Sequence, residues 1–377
     1  MHKTYKFRLF TNANQERELS QTLETHRRLY NSVLDGKRLC WETAGVDWNF
    51  YEQSRWFTVQ RGLNPYCARL NVGSARQTLR KLDKAYQAFF RRGGFPRFKS
   101  ADRFNSFAFD RTVGWKIVNR KLRIQHVGTI RVRWHRDLPT DGKIKTATIK
   151  REAGKWFVCF AVELPDPEPT HNTREVGIDV GLKAFVTTSD GEQLGDSRSL
   201  ENALPELRRR QRALSRCRRG SRRRTAVKRR VTKLYAKVRN TRLDLHHKVA
   251  RSLVDRYGVI VAESLRVKNM LRNRRLSRRI SDAGWSQVIR ILCSKAESAG
   301  CTVILVDPKN TSQQCSNCGE MVRKSLAVRV HRCSCGCVLD RDVNAAINIL
   351  ARAAPAGVNV SRQAERSPKS QLHLGLK

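Results

Sequence analysis

The chain has 377 residues, with 76 Lys or Arg against 33 Asp or Glu, a formal net charge of +43. Charge of this size repels itself in a compact fold unless a polyanion neutralises it, so an ordinary metabolic enzyme is excluded as the default and nucleic acid is the first partner to consider. With 40% hydrophobic residues and seven Trp, the composition is not that of a disordered chain, and the length allows two or three domains.

The opening residues MHKTYKFRLF are too short and too polar for a secretory signal, and alternation of Tyr5, Phe7 and Leu9 predicts a half-buried strand over 3–10. Helical spacing follows at 14–40 (Leu19, Leu23, Leu29, Val33) and at 74–90 (Leu79, Leu82, Tyr86, Phe89), the second stopped by Gly93-Gly94-Phe95-Pro96. From 104 to 164 the period is two, clearest at Trp156, Val158, Phe160, Val162 and Leu164. These segments predict a β-barrel-like domain with a helical insert. The run Pro165-Asp166-Pro167-Glu168-Pro169 reads as a stiff linker.

A second domain is expected from about 174. VGIDVGL at 176–182 has the pattern of a buried strand, 184–188 continues as a strand, and Ser189-Asp190-Gly191 reads as a hairpin turn. A long basic helical stretch (about 202–257), a strand (258–263), a basic loop (264–283), a helix (285–299) and a strand (301–307) come next. A last helix over about 341–353 carries Val343, Ala346, Ile347 and Leu350, and 355–377 read as a disordered tail. No run of about 18 apolar residues exists, so no membrane span is expected.

Asp179 lies inside an apolar strand, Glu263 ends another (VIVAESL), and Asp340 and Asp342 flank Arg341 at the start of the last helix. A carboxylate in such a place is costly without a partner, and a cation is the natural one. Three acids gathered from two strands and a helix start would make an all-oxygen site, which selects Mg²⁺ or Mn²⁺ and suits two-ion phosphodiester cleavage. Asp340 could equally be the helix N-cap, and Asp307 is a rival third ligand.

The 11 cysteines include five between 315 and 337. Cys315, Cys318, Cys333 and Cys335 form C-x₂-C-x₁₄-C-x-C, with Cys337 competing for the fourth place. Gly319 and Gly336 each follow a ligand and let the chain turn, as a closed structural Zn²⁺ site requires. An odd total in one tight cluster argues for a reducing compartment and a metal, against a disulfide framework.

Residues 208–242 hold 17 Lys or Arg and no acid, interleaved with Ala213, Val227, Val231, Leu234 and Val238, as in a helical hairpin. Residues 266–279 add seven more around Asn269-Met270-Leu271. Such one-sign density needs a phosphate backbone as counter-charge. Arg208, Arg209, Arg210, Arg222, Arg223, Arg224, Lys228, Arg229, Arg230, Lys268, Arg272, Arg274 and Arg275 are the expected nucleic-acid contacts.

In order along the chain stand KTYKFRLF, GFPRFK (94–99), GIDVGLK (177–183), VAESL (261–265), NML (269–271), SDAGW (281–285), NTSQQCSNCG (310–319) and LDRDVNAAINIL (339–350). With these the sequence resembles TnpB, the RNA-guided DNA endonuclease family of insertion sequences, related to type V CRISPR nucleases. The resemblance implies a multi-domain α/β chain. A wedge-like β-barrel (1–13 and 96–170) would be interrupted by a helical recognition insert (14–95). A RuvC-type, RNase H-like nuclease domain (171–311 and 339–354) would be interrupted by a zinc-ribbon target-nucleic-acid-binding insert (312–338), before the tail at 355–377. It implies Asp179, Glu263 and Asp342 as catalytic, magnesium-binding acids, and it is the resemblance that prefers Asp342 to Asp340 and Asp307. The short C-x-C at 333–335 departs from the family's C-x₂-C. The expected partners are a guide RNA from the transposon end and double-stranded target DNA cut beside a short flanking motif, in the cytoplasm and on the nucleoid. A strand-transfer transposase shares fold and acids, and a non-cleaving guided repressor would lack the acids that this chain has.

Overall fold

A computed structural model describes residues 1–110, 113–195, 199–325 and 328–353. The tail expected at 355–377 lies outside the described residues. The chain divides into two compact units between Asp166 and Pro167.

The first unit begins with β1 (His2–Phe10) and runs through α1 (Ala13–Ala44), α2 (Phe50–Leu63), α3 (Pro65–Ala68) and α4 (Val72–Arg92). Asn12 and Gln15 make a reciprocal capping box that starts α1, and Gly45, at φ 64°, ends it in the left-handed region that a Cβ disfavours. Leu19, Leu23, Leu29 and Val33 bury the expected face, but so does His26, whose two ring nitrogens meet Thr78 Oγ1 at 2.9 Å and Ser74 Oγ at 3.0 Å on α4. Helix α2 carries no sequence signal because it buries only Gln53 and Phe57; its start is set by the Asn49–Glu52 capping box.

Six strands follow: β2 (Ser106–Asp110), β3 (Trp115–Val118), β4 (Lys121–Ile124), β5 (Gly128–Arg133), β6 (Lys143–Glu152) and β7 (Lys155–Glu163). They form a seven-stranded antiparallel sheet with β1, in the order β2-β6-β7-β1-β5-β4-β3. The sheet curls on itself: the rings of Trp115 on β3 and Phe160 on β7 lie 5.2 Å apart, although three strands stand between them in the order. Among the described residues the strand pairings leave β2 and β3 as ends, so the expected barrel is a curled sheet, with no closing ladder. Its inner face is aromatic, and a fully buried ring such as Phe7 or Phe160 contributes about 1.5–3 kcal/mol over exposure.

The second unit holds β8 (Glu175–Asp179), β9 (Val186–Thr188), β10 (Gln193–Leu194), α5 (Ser199–Ser215), α6 (Arg222–Arg256) and β11 (Val259–Glu263). Two short helices, α7 (Val267–Met270) and α8 (Ser277–Ala283), occupy what the sequence reads as one basic loop. Their pattern is hidden because Ile280, Asp282 and Ala283 are the buried residues of α8. Then come α9 (Trp285–Ala299), β12 (Thr302–Val306), β13 (Val330–Arg332), β14 (Val338–Asp340) and α10 (Arg341–Ala351). A five-stranded sheet runs β10-β9-β8-β11-β12, with β8, β11 and β12 parallel. The inner strands β8 and β11 are buried as apolar runs, whereas the edge strand β12 is half-buried with Leu305 exposed. Among the described residues no helix is long and apolar enough to cross a membrane.

Candidate active site

Two parallel neighbours end in acids. Ala262 pairs with Ile178, so the next residues, Glu263 and Asp179, leave the same ends of β11 and β8. Glu263 pairs with Val306 on β12, and Asp307 follows it. In open α/β sheets the crevice beyond the carboxyl ends of the strands is where ligands bind. Helix α10 supplies Asp342 to the same crevice. It lies so close on β8 that a Cβ at Gly177 would stand 2.1 Å from the Ala346 carbonyl oxygen, so only glycine fits there. A Cβ on Gly181, just after Asp179, would be 3.8 Å from Asp342 Oδ2.

Asp179, Glu263, Asp307 and Asp342 all line one cleft of 1640 Å³. Burial, then repulsion from Glu263 and Asp342, pushes the Asp179 carboxyl up to about 8. Burial also raises Glu263, against a hydrogen bond from Thr311 that favours its charged form. Burial and the nearby Asp340 raise Asp342. Carboxylates in this state gain most from a cation. The donor set is all oxygen, so a hard divalent ion fits it. The acids do not form a tight single-ion cage: among the described residues, only the cysteine cluster brings three or more candidate ligand atoms within 4.8 Å of one another. Asp340 is the N-cap of α10, its Oδ1 accepting from the Asp342 N–H at 2.8 Å.

Arg341, buried between the two aspartates, donates to the carbonyl of Ser325 at 3.0 Å and to Ser312 Oγ at 3.1 Å. The apolar pattern of α10 does not anticipate Arg341, Asn344 and Asn348, all of which are buried; Val343, Ile347 and Leu350 are only half-buried.

In the cysteine cluster, Cys315 and Cys335 Sγ are 3.8 Å apart and Cys318 and Cys333 Sγ 3.5 Å. A tetrahedron with Zn–S of about 2.3 Å has edges near 3.8 Å, so four thiolates at these spacings fit zinc. The backbone N–H of Cys318, then that of Asn317, draws the Cys315 thiol down to about 5, the form that binds a metal. Cys337 lies outside the group of four, and its carbonyl accepts the Cys333 N–H at 3.0 Å. The strands β13 and β14 pair as a hairpin beside it.

The basic residues divide. In the α5–α6 pair, Arg208, Arg222, Arg223, Lys228, Arg229 and Arg230 are exposed, as are Lys268, Arg272, Arg274 and Arg275 further on. Three others are engaged within the pair. Arg209 and Arg210 hold Glu206, and Arg224 donates to the carbonyls of Leu214 and Cys217 at 2.9 and 3.1 Å, closing the end of α5. Of the expected contacts only Arg275 lines the cleft; Lys183, Arg266, Arg278, Arg279, Lys309 and Arg329 join it there. Composition could flag these residues, but only the fold places them around the acids.

Protein-family models match in chain order: a helix-turn-helix domain at 1–45, a family described as "Probable transposase" at 157–274, and a "Cas12f1-like, TNB domain" at 285–349. Residues 1–45 here are a strand and one long helix. Proteins of Streptomyces pristinaespiralis (31% identity, 98% of this chain and 95% of the relative) and Escherichia coli (30%, 89% and 84%) are each described as "Putative RNA-guided DNA endonuclease". A TnpB-like protein of Acanthamoeba polyphaga mimivirus is 25% identical over 55% of this chain and 43% of its own. The fold is similar to that of Cas12f1 in a complex with single-guide RNA and target DNA, at TM-score 0.59 and 15% identity over 93% of this chain and 98% of that one. It is also similar to that of the mini-RNA-guided endonuclease CRISPR-Cas phi3, at TM-score 0.52 and 10% identity over 94% and 92%. A relative aligned across nearly all of both chains, the family matches in order and the shared fold together establish that this chain belongs to the TnpB family.

Proposed function

We propose that the protein is an RNA-guided, metal-dependent DNA endonuclease of an insertion element, cutting double-stranded DNA next to a short flanking motif. The observation that carries this reading is the convergence of Asp179, Glu263 and Asp342 on one cleft with a basic rim, in a chain of this family. On this reading the second unit is a RuvC-type, RNase H-like nuclease interrupted by a zinc ribbon at 312–338. The curled sheet of the first unit would serve as the wedge, on the expected bounds 1–13 and 96–170, with a recognition insert at 14–95. The nuclease parts run 171–311 and 339–354.

Asp179, Glu263 and Asp342 would hold Mg²⁺ or Mn²⁺, which when bound activates water and stabilises the leaving oxygen of a phosphodiester. The chain's own residues do the rest. Lys183, Arg266 and Arg275 at the cleft draw in a phosphate backbone and offset the repulsion it meets from the acids. Cys315, Cys318, Cys333 and Cys335 would bind a structural Zn²⁺ that folds the ribbon. The exposed arginines of α5, α6 and the 266–279 segment would carry guide RNA from the transposon end and its target, with sequence read by base pairing. The place of action would be the cytoplasm and nucleoid.

The test is to purify the protein with its co-expressed RNA and offer a matched target flanked by randomised sequence. Cleavage that needs both metal and guide, with one enriched flanking motif, is expected. Strand joining in place of hydrolysis would point to a transposase, and guided binding without cutting to a repressor.

A further inference from the structure

Glu263 ends its strand on a flexible side chain, yet one hydroxyl fixes it. Thr311 is 4% exposed, and its Oγ1 donates to Glu263 Oε1 at 2.6 Å; the Pro308 carbonyl is a more distant alternative acceptor, at 3.4 Å. The backbone at Thr311 is itself held. Its carbonyl accepts from Asn348 Nδ2 at 2.8 Å, and the same amide donates to the Gln314 carbonyl at 2.7 Å. One turn earlier, Asn344 Nδ2 donates to that carbonyl at 2.8 Å while its Oδ1 accepts the Ser316 N–H at 3.0 Å. Both asparagines are buried on α10, the helix that carries Asp342. The segment 311–316, which delivers the first cysteine of the cluster, is therefore stitched to one acid's helix and hydrogen-bonded to another acid.

We infer that Thr311 is a positioning residue for Glu263: its hydroxyl fixes the rotation of the carboxylate so that the acid meets a divalent cation already oriented. A free glutamate must give up rotamer freedom when it binds an ion, and a hydrogen bond made beforehand removes that cost. Hydrogen-bond partners of metal-binding side chains typically cost 10–100-fold in metal affinity when removed. The hydroxyl also offsets burial by favouring the charged carboxylate. The inference rests on the reading of Asp179, Glu263 and Asp342 as cation ligands.

The experiment uses the full-length, RNA-bound protein without DNA. Fe²⁺ is titrated as a stand-in for Mg²⁺, and oxidative cutting of the polypeptide beside residue 263 reports the ion locally. Zinc content is measured in parallel. Thr311→Val, which keeps shape and loses the hydroxyl, should raise the half-saturating Fe²⁺ concentration by about 10-fold or more. Thr311→Ser should restore the wild-type value, and both should keep zinc. An unchanged value in Thr311→Val, or equal loss in Thr311→Ser, overturns the inference, because the hydroxyl would then not be the agent. Loss of zinc from Thr311→Val also overturns it, showing that the residue holds the ribbon instead. Glu263→Gln separates the two levels. If it too binds Fe²⁺ as the wild type does, the ligand reading itself fails; if it weakens binding while Thr311→Val does not, only the positioning role fails.

Discussion

The second unit contains two candidate metal centres built on opposite plans. The four thiols come from 315–335, and their partners are set by two tight turns at Gly319 and Gly336, at φ 79° and 83°. The three acids come from positions 179, 263 and 342, and only the parallel pairing of β8 with β11 and the seating of α10 bring them together. The thiols meet in one small cage, whereas the carboxylates stand apart around a broad cleft. A soft ion in a closed site and hard ions in an open one are the corresponding chemistries. The contrast shows why local spacing suffices to describe the cysteine cluster, while the acid cluster needs a whole sheet.

The strongest way to break the comparison is to remove the acids. Asp179→Ala, Glu263→Ala and Asp342→Ala should each lower guided cleavage by roughly 10³-fold or more, with target binding retained in a gel-shift assay. Asp307→Ala should cut, and Asp340→Ala should cut while losing about 1 kcal/mol of helix capping. Activity in Asp342→Ala with loss in Asp307→Ala would reassign the third acid.

The next largest effect concerns the thiols. Cys315→Ser should release zinc and unfold the ribbon, because metal binding there is folding energy. Metal analysis of Cys335→Ser should show loss, and that of Cys337→Ser retention; the opposite pattern would move the fourth ligand to Cys337.

A pH series sharpens the electrostatic side. The Asp179 carboxyl rises from an ordinary 3.8 to about 8 in the folded chain, so the native state keeps a proton that the unfolded state loses. Stability of the metal-free protein should therefore be fullest below about pH 4 as far as this group is concerned, and fall as pH climbs from there through about 8. Melting curves with and without Mg²⁺ should diverge over that window, the ion removing the loss. Asp179→Asn should flatten the metal-free curve; a slope that persists would assign it to other groups.

The smallest effect tests how the acids are brought together. Gly177→Ala forces a methyl group against the α10 backbone and should cost about 1–3 kcal/mol by overpacking. Thermal melting should register it, while zinc content stays unchanged. If zinc were lost instead, the two centres would share more of their folding than their separate plans imply.

Legibility followed the same division. The alternation at Trp156–Val162 and the helical spacing at Leu79–Tyr86 report burial on one face, and those residues form β7 and α4. Helix α2 fully buries one apolar side chain, Phe57, with Phe50 and Trp56 half-buried against the core. These make no regular helical stripe, so periodicity is silent where capping at Asn49 decides. Helix α8 sits inside a basic run whose charge masks Ile280 and Ala283. At the site, an acid inside VGID is visible because it is out of place in an apolar strand. Thr311 and Asn348 are not, because a threonine before a knuckle and an asparagine on a helix look ordinary until their partners are known. Arg224 reads as a phosphate contact within its basic run, and only the fold shows its guanidinium donating to the Leu214 and Cys217 carbonyls of its own hairpin.

The close seat of α10 on β8 at Gly177 also makes the intervening chain a ring with a locked clasp. Segments strung between the clasp's two halves can lengthen at small cost, since each doubling of a flexible loop adds only about 0.6 kcal/mol of closure entropy. The turn around Gly220, exposed between α5 and α6, is such a place. Extra chain inserted there, or new termini opened there, should leave the acids in register. The architecture can therefore grow by accretion on its loops, adding surface while the acid cluster stays fixed.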